Sequence, residues 1–252
     1  MNSGNDPFIH HPELRDKIKD PLQSFFRDFD PVNLLKKWPE LHWVIEELHS
    51  ESYREKSRRE TLAKHDDGDL WIFAYGSLMW DPAFEFTEVR RARVSDHARR
   101  FILKDIWGGR GTLEMPGLMA ALDKGDGCEG LIYRLSCDKI EAETRNLWRR
   151  EMIGPGYVPS VVRTMVGDNI IPALTFVADY EAEGIHPDLP RSKQVEFITH
   201  GSGVLGTSVE YLENIVSQFA ALGIVDEDCS SLLQDVRANA KTHQSGLAGA
   251  NQ

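Results

Sequence analysis

The sequence of 252 residues contains only three cysteines, Cys128, Cys137 and Cys229. They are odd in number, far apart and form no Cys-x-x-Cys pair, which fits a reducing compartment better than a disulfide framework or a zinc site. No apolar run approaches the roughly 20 residues that a membrane helix needs. The N-terminus lacks a charged stretch followed by an apolar one, so no signal peptide is predicted. We therefore expect a soluble, cytoplasmic protein.

Positive charge is scarce as well. The 29 Lys and Arg residues against 40 Asp and Glu residues give a formal net charge of -11. Nucleic-acid-binding surfaces usually carry a basic excess on one face, so a nucleic-acid partner is not predicted. The negative charge offers an anionic substrate no general attraction, so local groups, such as backbone N–H donors or one arginine, must hold any acidic ligand. The hydrophobic content of 41% is that of an ordinary globular protein.

The first 66 residues differ in pattern from the rest of the chain. Asp30-Pro31 is typical of an N-cap followed by proline at the first helical position. After Pro39, an apolar stripe at i, i+3, i+4 and i+7 predicts an amphipathic helix: Leu41, Val44, Ile45 and Leu48. The charged segment Ser50–Lys64 is interpreted as a polar connection. We predict a helical N-terminal appendage and polar linker over residues 1–66, whose stripe packs on the main domain or forms a homodimer.

Residues 67–240 are predicted to form one α+β domain, because several strands are followed by helices. The strand candidates are short apolar segments between turns: Leu70–Tyr75, Arg100–Lys104, Leu118–Leu122, Gly130–Leu135, Val158–Val166 and Ile171–Val177. Gly167-Asp168-Asn169 is a hairpin turn between the last two. Helices are expected over Asp138–Met152, after a capping box at Thr207, and over Glu227–Ala238. Residues 241–252 are predicted to be disordered.

The first candidate site is the turn Tyr75-Gly76-Ser77-Leu78, which follows a predicted buried strand. Glycine and serine at this point allow a sharp turn that leaves consecutive N–H groups unpaired. Such N–H groups can hold a carboxylate or an oxyanion. The alternative is an ordinary loop in which the serine hydroxyl accepts a hydrogen bond from a nearby N–H.

The second candidate is Glu151, which closes the apolar face of a predicted helix just before Gly154-Pro155-Gly156. If Glu151 faces the interior, burial raises its pKa towards that of a working general base, while Arg149 and Arg150 oppose this shift if they face it. The alternative is an ion pair with one of these arginines on a solvated helix end.

Together these segments resemble the ChaC-type, glutathione-specific γ-glutamylcyclotransferases over roughly Leu70 to Val236. The resemblance rests on four elements in the family's order: YGSL at Tyr75–Leu78, RGTLEMPGL at Arg110–Leu118, WRREM at Trp148–Met152 before Gly154–Tyr157, and a C-terminal signature at Gly201–Gly203 and Thr207–Leu212. Leu113 stands where the family pattern has proline, and the first 66 residues have no counterpart in the family core.

The resemblance implies a strongly curved, partly closed, barrel-like mixed sheet of about six strands, surrounded by helices. It implies a reaction in which the α-amine of a γ-glutamyl group attacks the γ-carbonyl, releasing 5-oxoproline and, from glutathione, Cys-Gly. Glu151 would be the general acid and base, and Tyr75, Gly76, Ser77 and Leu78 would bind the substrate. Arg110 and Tyr157 would line the pocket, and neither a metal nor another cofactor is required.

Two other functions remain open at this point. Proteins that resemble ChaC have also been described as regulators of cation transport, so a non-catalytic binding protein is one alternative. A cyclotransferase for another γ-glutamyl amine is the second. The segment Gly201–Gly206 matches GxGxxG, but only helices follow it, so a dinucleotide site is not predicted. Ser77 has no histidine in a recognisable arrangement, which argues against a hydrolytic triad.

Overall fold

The computed structural model describes residues 6–66 and 68–249, without the side chains of residues 34 and 242–249. The chain divides into two compact units, Met1–Arg100 with Ala121–Glu183, and Phe101–Ala120 with Gly184–Gln252. Among the described residues the helices are α1 Pro31–Lys37, α2 Glu51–Leu62, α3 Ile140–Glu151, α4 Arg191–His200, α5 Ser208–Ala221 and α6 Glu227–Gly249. The strands of the main sheet are β1 Leu70–Ala74, β2 Glu88–Val94, β3 His97–Asp105, β4 Gly117–Lys124, β5 Cys128–Leu135, β6 Tyr157–Val166 and β7 Asn169–Ala178.

Five of these strands close on themselves within the first unit. The sheet order is β1-β5-β2-β6-β7-β4-β3, and β1 also pairs with β7 in parallel at Ile72 and Leu174. The other pairs around the ring are antiparallel, and β4 joins β7 in parallel at Leu122 and Val177. The predicted α+β class with a barrel-like sheet is confirmed.

All six predicted strands are present, and the turn Gly167-Asp168-Asn169 joins β6 to β7, with Gly167 at φ +58°. The sequence prediction missed β2, whose sequence is EVRRARV. Its apolar positions Val89, Ala92 and Val94 are buried. Three arginines among seven residues leave no apolar run or regular alternation to recognise, and the strand becomes evident only when β2 pairs with β5 along its whole length.

The first N-terminal helix forms where Asp30-Pro31 predicts it, but the second one differs from the prediction. Pro39–Glu47 is a 3-10 helix rather than an α-helix. Leu41 and Val44 are buried, whereas Ile45, from the same predicted stripe, is 42% exposed. A 3-10 helix has three residues per turn, so positions i and i+3 share a face while i+4 turns away from it.

The segment interpreted as a polar connection is instead the helix α2. Ser50 accepts a hydrogen bond from the Tyr53 N–H and caps its N-terminus. The buried face of α2 carries an arginine, Arg58, whose guanidinium binds the carboxylates of Glu55 and Glu141. Charged residues thus form the packing face here, and for that reason a hydrophobic periodicity could not reveal the helix.

In the second unit, the predicted capping box at the start of α5 is present, with Thr207 and Glu210 exchanging hydrogen bonds. Helix α4 has no predicted counterpart. Helix α6 continues past the predicted end at Ala238 to Gly249, into the segment predicted to be disordered, and residues 250–252 of that segment lie outside the described residues. No helix within the described part of the chain is long and apolar enough to span a membrane.

Candidate active site

Helix α3 delivers Glu151 to the site at its last residue. Leu147 and Trp148 anchor the helix in the core of the first unit. The chain then reverses into β6, which Gly156 permits through a φ of +143°. The side chain of Glu151 is 14% exposed, so it lies in the interior with a small opening to solvent. The prediction of an inward-facing carboxylate agrees with this placement.

Two opposing effects set the acidity of Glu151. Burial disfavours its charged form and raises its pKa above the ordinary glutamate value, and this is the larger effect. The Arg150 guanidinium, whose Nε lies 3.0 Å from Glu151 Oε1, lowers the pKa in part. The net pKa of Glu151 is raised. The ion pair weighed as the alternative therefore exists, but in the protein interior rather than on a solvated helix end.

Arg150 connects Glu151 to the YGSL turn. Its Nη2 donates to Ser77 Oγ at 2.8 Å, and its Nη1 donates to the carbonyl oxygen of Asp81. The guanidinium also lies over the ring of Phe26, 4.3 Å from the centroid. The sequence interpretation treats Arg150 only as a charge that opposes the pKa shift of Glu151. No local pattern indicates that it reaches a residue 73 positions earlier in the chain.

The YGSL turn follows β1 and contains a short 3-10 helix, Ser77–Met79. The first hydrogen bond of this helix runs from the Met79 N–H to the Gly76 carbonyl oxygen at 2.9 Å, and the next from the Trp80 N–H to the Ser77 carbonyl oxygen at 3.2 Å. The helix therefore offers no acceptor to the preceding N–H groups of Ser77 and Leu78. This is the backbone arrangement that the sequence predicts for an anion-binding turn.

The two outer residues of the turn hold it in place. Tyr75 is buried, its hydroxyl donates to the Phe176 carbonyl oxygen at 2.8 Å, and its own carbonyl oxygen accepts from Arg99 Nε at 2.6 Å. Leu78 is buried as well. The side chains of Tyr75 and Leu78 therefore pack into the core, which leaves the backbone of the turn and the Ser77 hydroxyl for contacts with a ligand.

Tyr133 supports the far end of the same turn. Its hydroxyl donates to the Met79 carbonyl oxygen at 3.0 Å. Complete burial raises the pKa of Tyr133 well above the ordinary tyrosine value, so the phenol stays neutral at physiological pH and keeps donating. Tyr133 carries no distinctive signal in the sequence, where it is one tyrosine in a predicted strand.

The remaining predicted site residues lie in different parts of the chain. Tyr157 is half-buried at the start of β6, in the first unit, and pairs with Ala178. Arg110 belongs to the second unit, where its Nη1 donates to the Thr207 carbonyl oxygen at 2.9 Å and its guanidinium lies 5.0 Å from the centre of the Tyr211 ring. The structure thus brings Ser77 and Glu151 together through Arg150, and roles for Tyr157 and Arg110 stay predictions.

Comparison with known proteins places these features in a family. The profile of the ChaC-like proteins matches residues 70–239. The glutathione-specific γ-glutamylcyclotransferase of Escherichia coli (strain K12) is 37% identical over 198 residues, which cover 77% of this chain and 85% of that protein. The human glutathione-specific γ-glutamylcyclotransferase 1 is 32% identical over 155 residues, covering 58% of this chain and 69% of its own.

A solved structure shares the fold. The crystal structure of a yeast γ-glutamyl cyclotransferase specific to glutathione superimposes with a TM-score of 0.61 at 18% identity, covering 68% of this chain and 99% of the yeast chain.

The match to the E. coli protein also concerns the N-terminal segment. Residues 70–252 make up less than 77% of the chain, so that match necessarily includes part of the sequence before residue 70.

Proposed function

Because the chain belongs to the ChaC-like family, we propose that it is a γ-glutamylcyclotransferase that cleaves glutathione to 5-oxoproline and Cys-Gly. The bond that forms joins the α-nitrogen of the glutamyl group to its γ-carbonyl carbon, and the bond that breaks is the amide to cysteine. The reaction is intramolecular, so the protein has to hold the folded conformer of the substrate and transfer protons.

One observation carries the proposal. A carboxylate with a raised pKa, Glu151, shares a buried guanidinium with Ser77, in a turn whose own 3-10 helix offers no acceptor to the Ser77 and Leu78 N–H groups. A γ-glutamyl group presents an α-ammonium and an α-carboxylate on the same carbon. A base beside an anion-holding turn matches this pair of charges, whereas a protein that only binds a partner has no need for a buried base.

In the proposed mechanism Glu151 accepts a proton from the α-ammonium and makes the amine nucleophilic. It gives this proton to the nitrogen of the departing amine as the amide bond breaks. The ring nitrogen then loses its second proton, which the released amine takes up, so that an α-ammonium and an amide become a lactam and a free ammonium. Efficient proton transfer in both directions requires a pKa near the working pH, and burial shifts the pKa of Glu151 in that direction. The rate should therefore fall on the acidic side at a pH above that expected for an exposed glutamate.

The N–H groups of Ser77 and Leu78 are proposed to bind the α-carboxylate. Since the net charge of the protein is -11, this local cradle has to overcome a general repulsion of the anionic substrate. Gly76 leaves the approach to the backbone free of a side chain, and the buried Tyr75 fixes the position of the turn. We assign Tyr157 to the lining of the pocket, as the family resemblance implies.

The test is to incubate the purified protein with glutathione and to quantify 5-oxoproline and Cys-Gly. Glu151→Gln keeps the size of the side chain and removes its basicity, so product formation should stop. The matched control is Glu141→Gln, a neutralisation on the same helix at an exposed side chain, which should retain activity. An inert wild-type protein, or a Glu151→Gln variant as active as wild type, would contradict the proposal.

A panel of γ-glutamyl amines with different leaving groups tests the assignment of glutathione itself. The family assignment predicts that glutathione is cleaved with the highest kcat/KM. If another γ-glutamyl amine has a higher kcat/KM, the proposed cyclisation stands but that amine, and not glutathione, is the preferred substrate. Location in the cytoplasm and a homodimer formed through the N-terminal helices stay predictions, which fractionation and light scattering of the full chain can test.

A further inference from the structure

We propose that Phe26, which lies before the segment that matches the family profile, is a positioning residue for the proposed reaction. Its ring covers one face of the Arg150 guanidinium and so holds the group that aligns Glu151 with Ser77. The inference rests on the proposed function for the reaction concerned, but the contact itself can be tested without turnover.

The contacts of Arg150 show why its face matters. In its plane, the guanidinium is directed by three partners: Glu151 at Nε, Asp81 at Nη1 and Ser77 at Nη2. These bonds fix the direction of the donors, but they do not prevent the planar group from tilting or shifting along its normal. The ring of Phe26, 4.3 Å away, blocks that movement on one side, and the Arg150 side chain is only 4% exposed. A cation over an aromatic face is also attracted electrostatically.

Phe26 is itself held in place. Its N–H donates to Ser24 Oγ at 3.0 Å, and its ring contacts that of the buried Phe29 at 5.5 Å between centroids. The next residue, Arg27, forms a two-point ion pair with Glu143, in the first turn of α3. The segment around Phe26 therefore contacts α3 both near its start and at its end.

The N-terminal segment also reaches the turn that follows Glu151. The His49 N–H donates to the Ile153 carbonyl oxygen at 2.8 Å. A Cβ added at Gly154 would come within 2.9 Å of the Glu47 carbonyl oxygen, so the two backbones are in close contact there. The N-terminal appendage therefore packs directly against the turn that follows Glu151.

Loss of the Phe26 ring should change the titration of Glu151 in one direction. Arg150 is the charged group that lowers the pKa of Glu151. Two other sets of charges lie nearby. Asp81 also faces Arg150, and the Arg27–Glu143 pair lies beside Phe26. If Arg150 moves away, its lowering effect declines and burial remains, so the pKa of Glu151 rises further. A residue that served only the stability of the fold would not move this pKa in the folded protein.

The first experiment compares Phe26→Leu with wild type by carbon-13 NMR titration of the glutamate carboxyl groups. The Glu151 resonance is assigned by its loss in Glu151→Gln. Phe26→Leu keeps an apolar side chain but removes the aromatic face, and its Glu151 should titrate at higher pH. Phe26→Trp restores an aromatic face and should move the midpoint back towards wild type. An unchanged midpoint in a folded Phe26→Leu variant overturns the inference.

Phe8→Leu is the matched control. Phe8 is also an N-terminal phenylalanine under an arginine, since its ring lies 5.2 Å from Arg15. Arg15 pairs with the exposed Asp6, however, and not with the site. Phe8→Leu should leave the Glu151 midpoint where it is, and a shift equal to that of Phe26→Leu would contradict a specific role for Phe26.

The second experiment measures kcat/KM for glutathione against pH. Phe26→Leu should lose roughly two- to thirtyfold in kcat/KM, the range of one cation–π contact expressed as a rate, and its acidic limb should lie at higher pH than in wild type. If the wild-type protein does not cleave glutathione, the proposed function is wrong. The NMR titration of Glu151 then still tests whether Phe26 positions Arg150. An active Phe26→Leu variant with the wild-type profile defeats the inference and leaves the proposed function intact.

Discussion

Helix α3 carries a buried glutamate, Glu143, in its first turn and a largely buried one, Glu151, at its end. The two differ in their hydrogen-bond partners and in their position relative to the helix dipole. Glu143 is 1% exposed, and both of its oxygens are bound by Arg27, with a further hydrogen bond from the Glu85 N–H at 3.1 Å. Glu151 is 14% exposed, and its contact within the described part of the chain is with Arg150 Nε at 3.0 Å. Glu143 also lies where the helix dipole favours negative charge, whereas Glu151 lies where the dipole opposes it.

This difference in hydrogen-bond partners gives the two carboxylates different roles: Glu143 joins parts of the fold, and Glu151 can exchange a proton. Both oxygens of Glu143 accept hydrogen bonds from other parts of the fold, from the Arg27 guanidinium and from the Glu85 N–H. Glu151 has fewer partners and pays a desolvation cost, and its pKa is raised as a result. Burial alone therefore does not identify a catalytic acid, and the number of donors on its oxygens is the more informative property.

The largest effect is expected when the carboxylate at the end of α3 is neutralised. Glu151→Gln should lower kcat for glutathione cleavage by roughly 10²- to 10⁴-fold, the range contributed by a general acid and base. Its circular dichroism should match that of wild type, since glutamine can still accept a hydrogen bond from Arg150. If Glu143→Gln caused the same loss of kcat in folded protein, the distinction between the two glutamates would be wrong.

The same substitution at the start of α3 should instead reduce stability. Glu143→Gln removes the two-point partner of the partly buried Arg27 and leaves it only the longer contact with Glu85 at 3.6 Å. We expect the free energy of unfolding to fall by about 2–3 kcal/mol. Urea denaturation followed by tryptophan fluorescence measures this. In the double variant with Arg27→Met, the loss should be smaller than the sum of the two single losses, because the charge that lost its two-point partner is gone. Additive losses would show that the pair makes no mutual contribution.

Sequence patterns predicted the parts of this molecule in which apolar residues form the buried face. Strand β1, the hairpin at Gly167 and the capping box at Thr207 are local features, and the structure has all three. The patterns failed in α2, where arginines form the buried face, and in β2, where three arginines separate the buried apolar positions. There the burial depends on a carboxylate or a strand elsewhere in the chain, which no local window contains.

The candidate site divides in the same way. Glu151 and the YGSL turn are recognisable as segments, because a helix end before a Gly-Pro-Gly break and a glycine-serine turn after a strand are local signals. The groups that bring them together, Arg150 and Phe26, act on distant residues through a side chain. Their roles follow from the tertiary arrangement alone, since nothing near either residue in the sequence distinguishes it from an ordinary surface arginine or core phenylalanine.

A moderate effect on catalysis is expected from the link between the turn and Arg150. Ser77→Ala removes the acceptor of Arg150 Nη2 and leaves that donor unpaired in a buried position. We expect kcat/KM to fall roughly three- to tenfold, with the N–H groups of the turn unaffected. Ser77→Thr retains the hydroxyl and should preserve more activity than alanine. Wild-type kinetics in Ser77→Ala would show that Arg150 holds Glu151 without help from the turn.

The smallest effect concerns stability and has opposite signs at the two glutamates. The pKa of Glu151 in the folded protein is raised above the ordinary value of 4.5. Wild type therefore loses stability as the pH rises from about 4.5 through the folded pKa, because the unfolded chain releases this proton more readily. Glutamine does not titrate, so Glu151→Gln should melt close to wild type near pH 4 and a few degrees higher at pH 8. Glu143→Gln should melt lower than wild type at pH 8. Calorimetry across this range measures both variants, and a lower melting temperature for Glu151→Gln at pH 8 would mean that its ion pair with Arg150 outweighs the cost of burial.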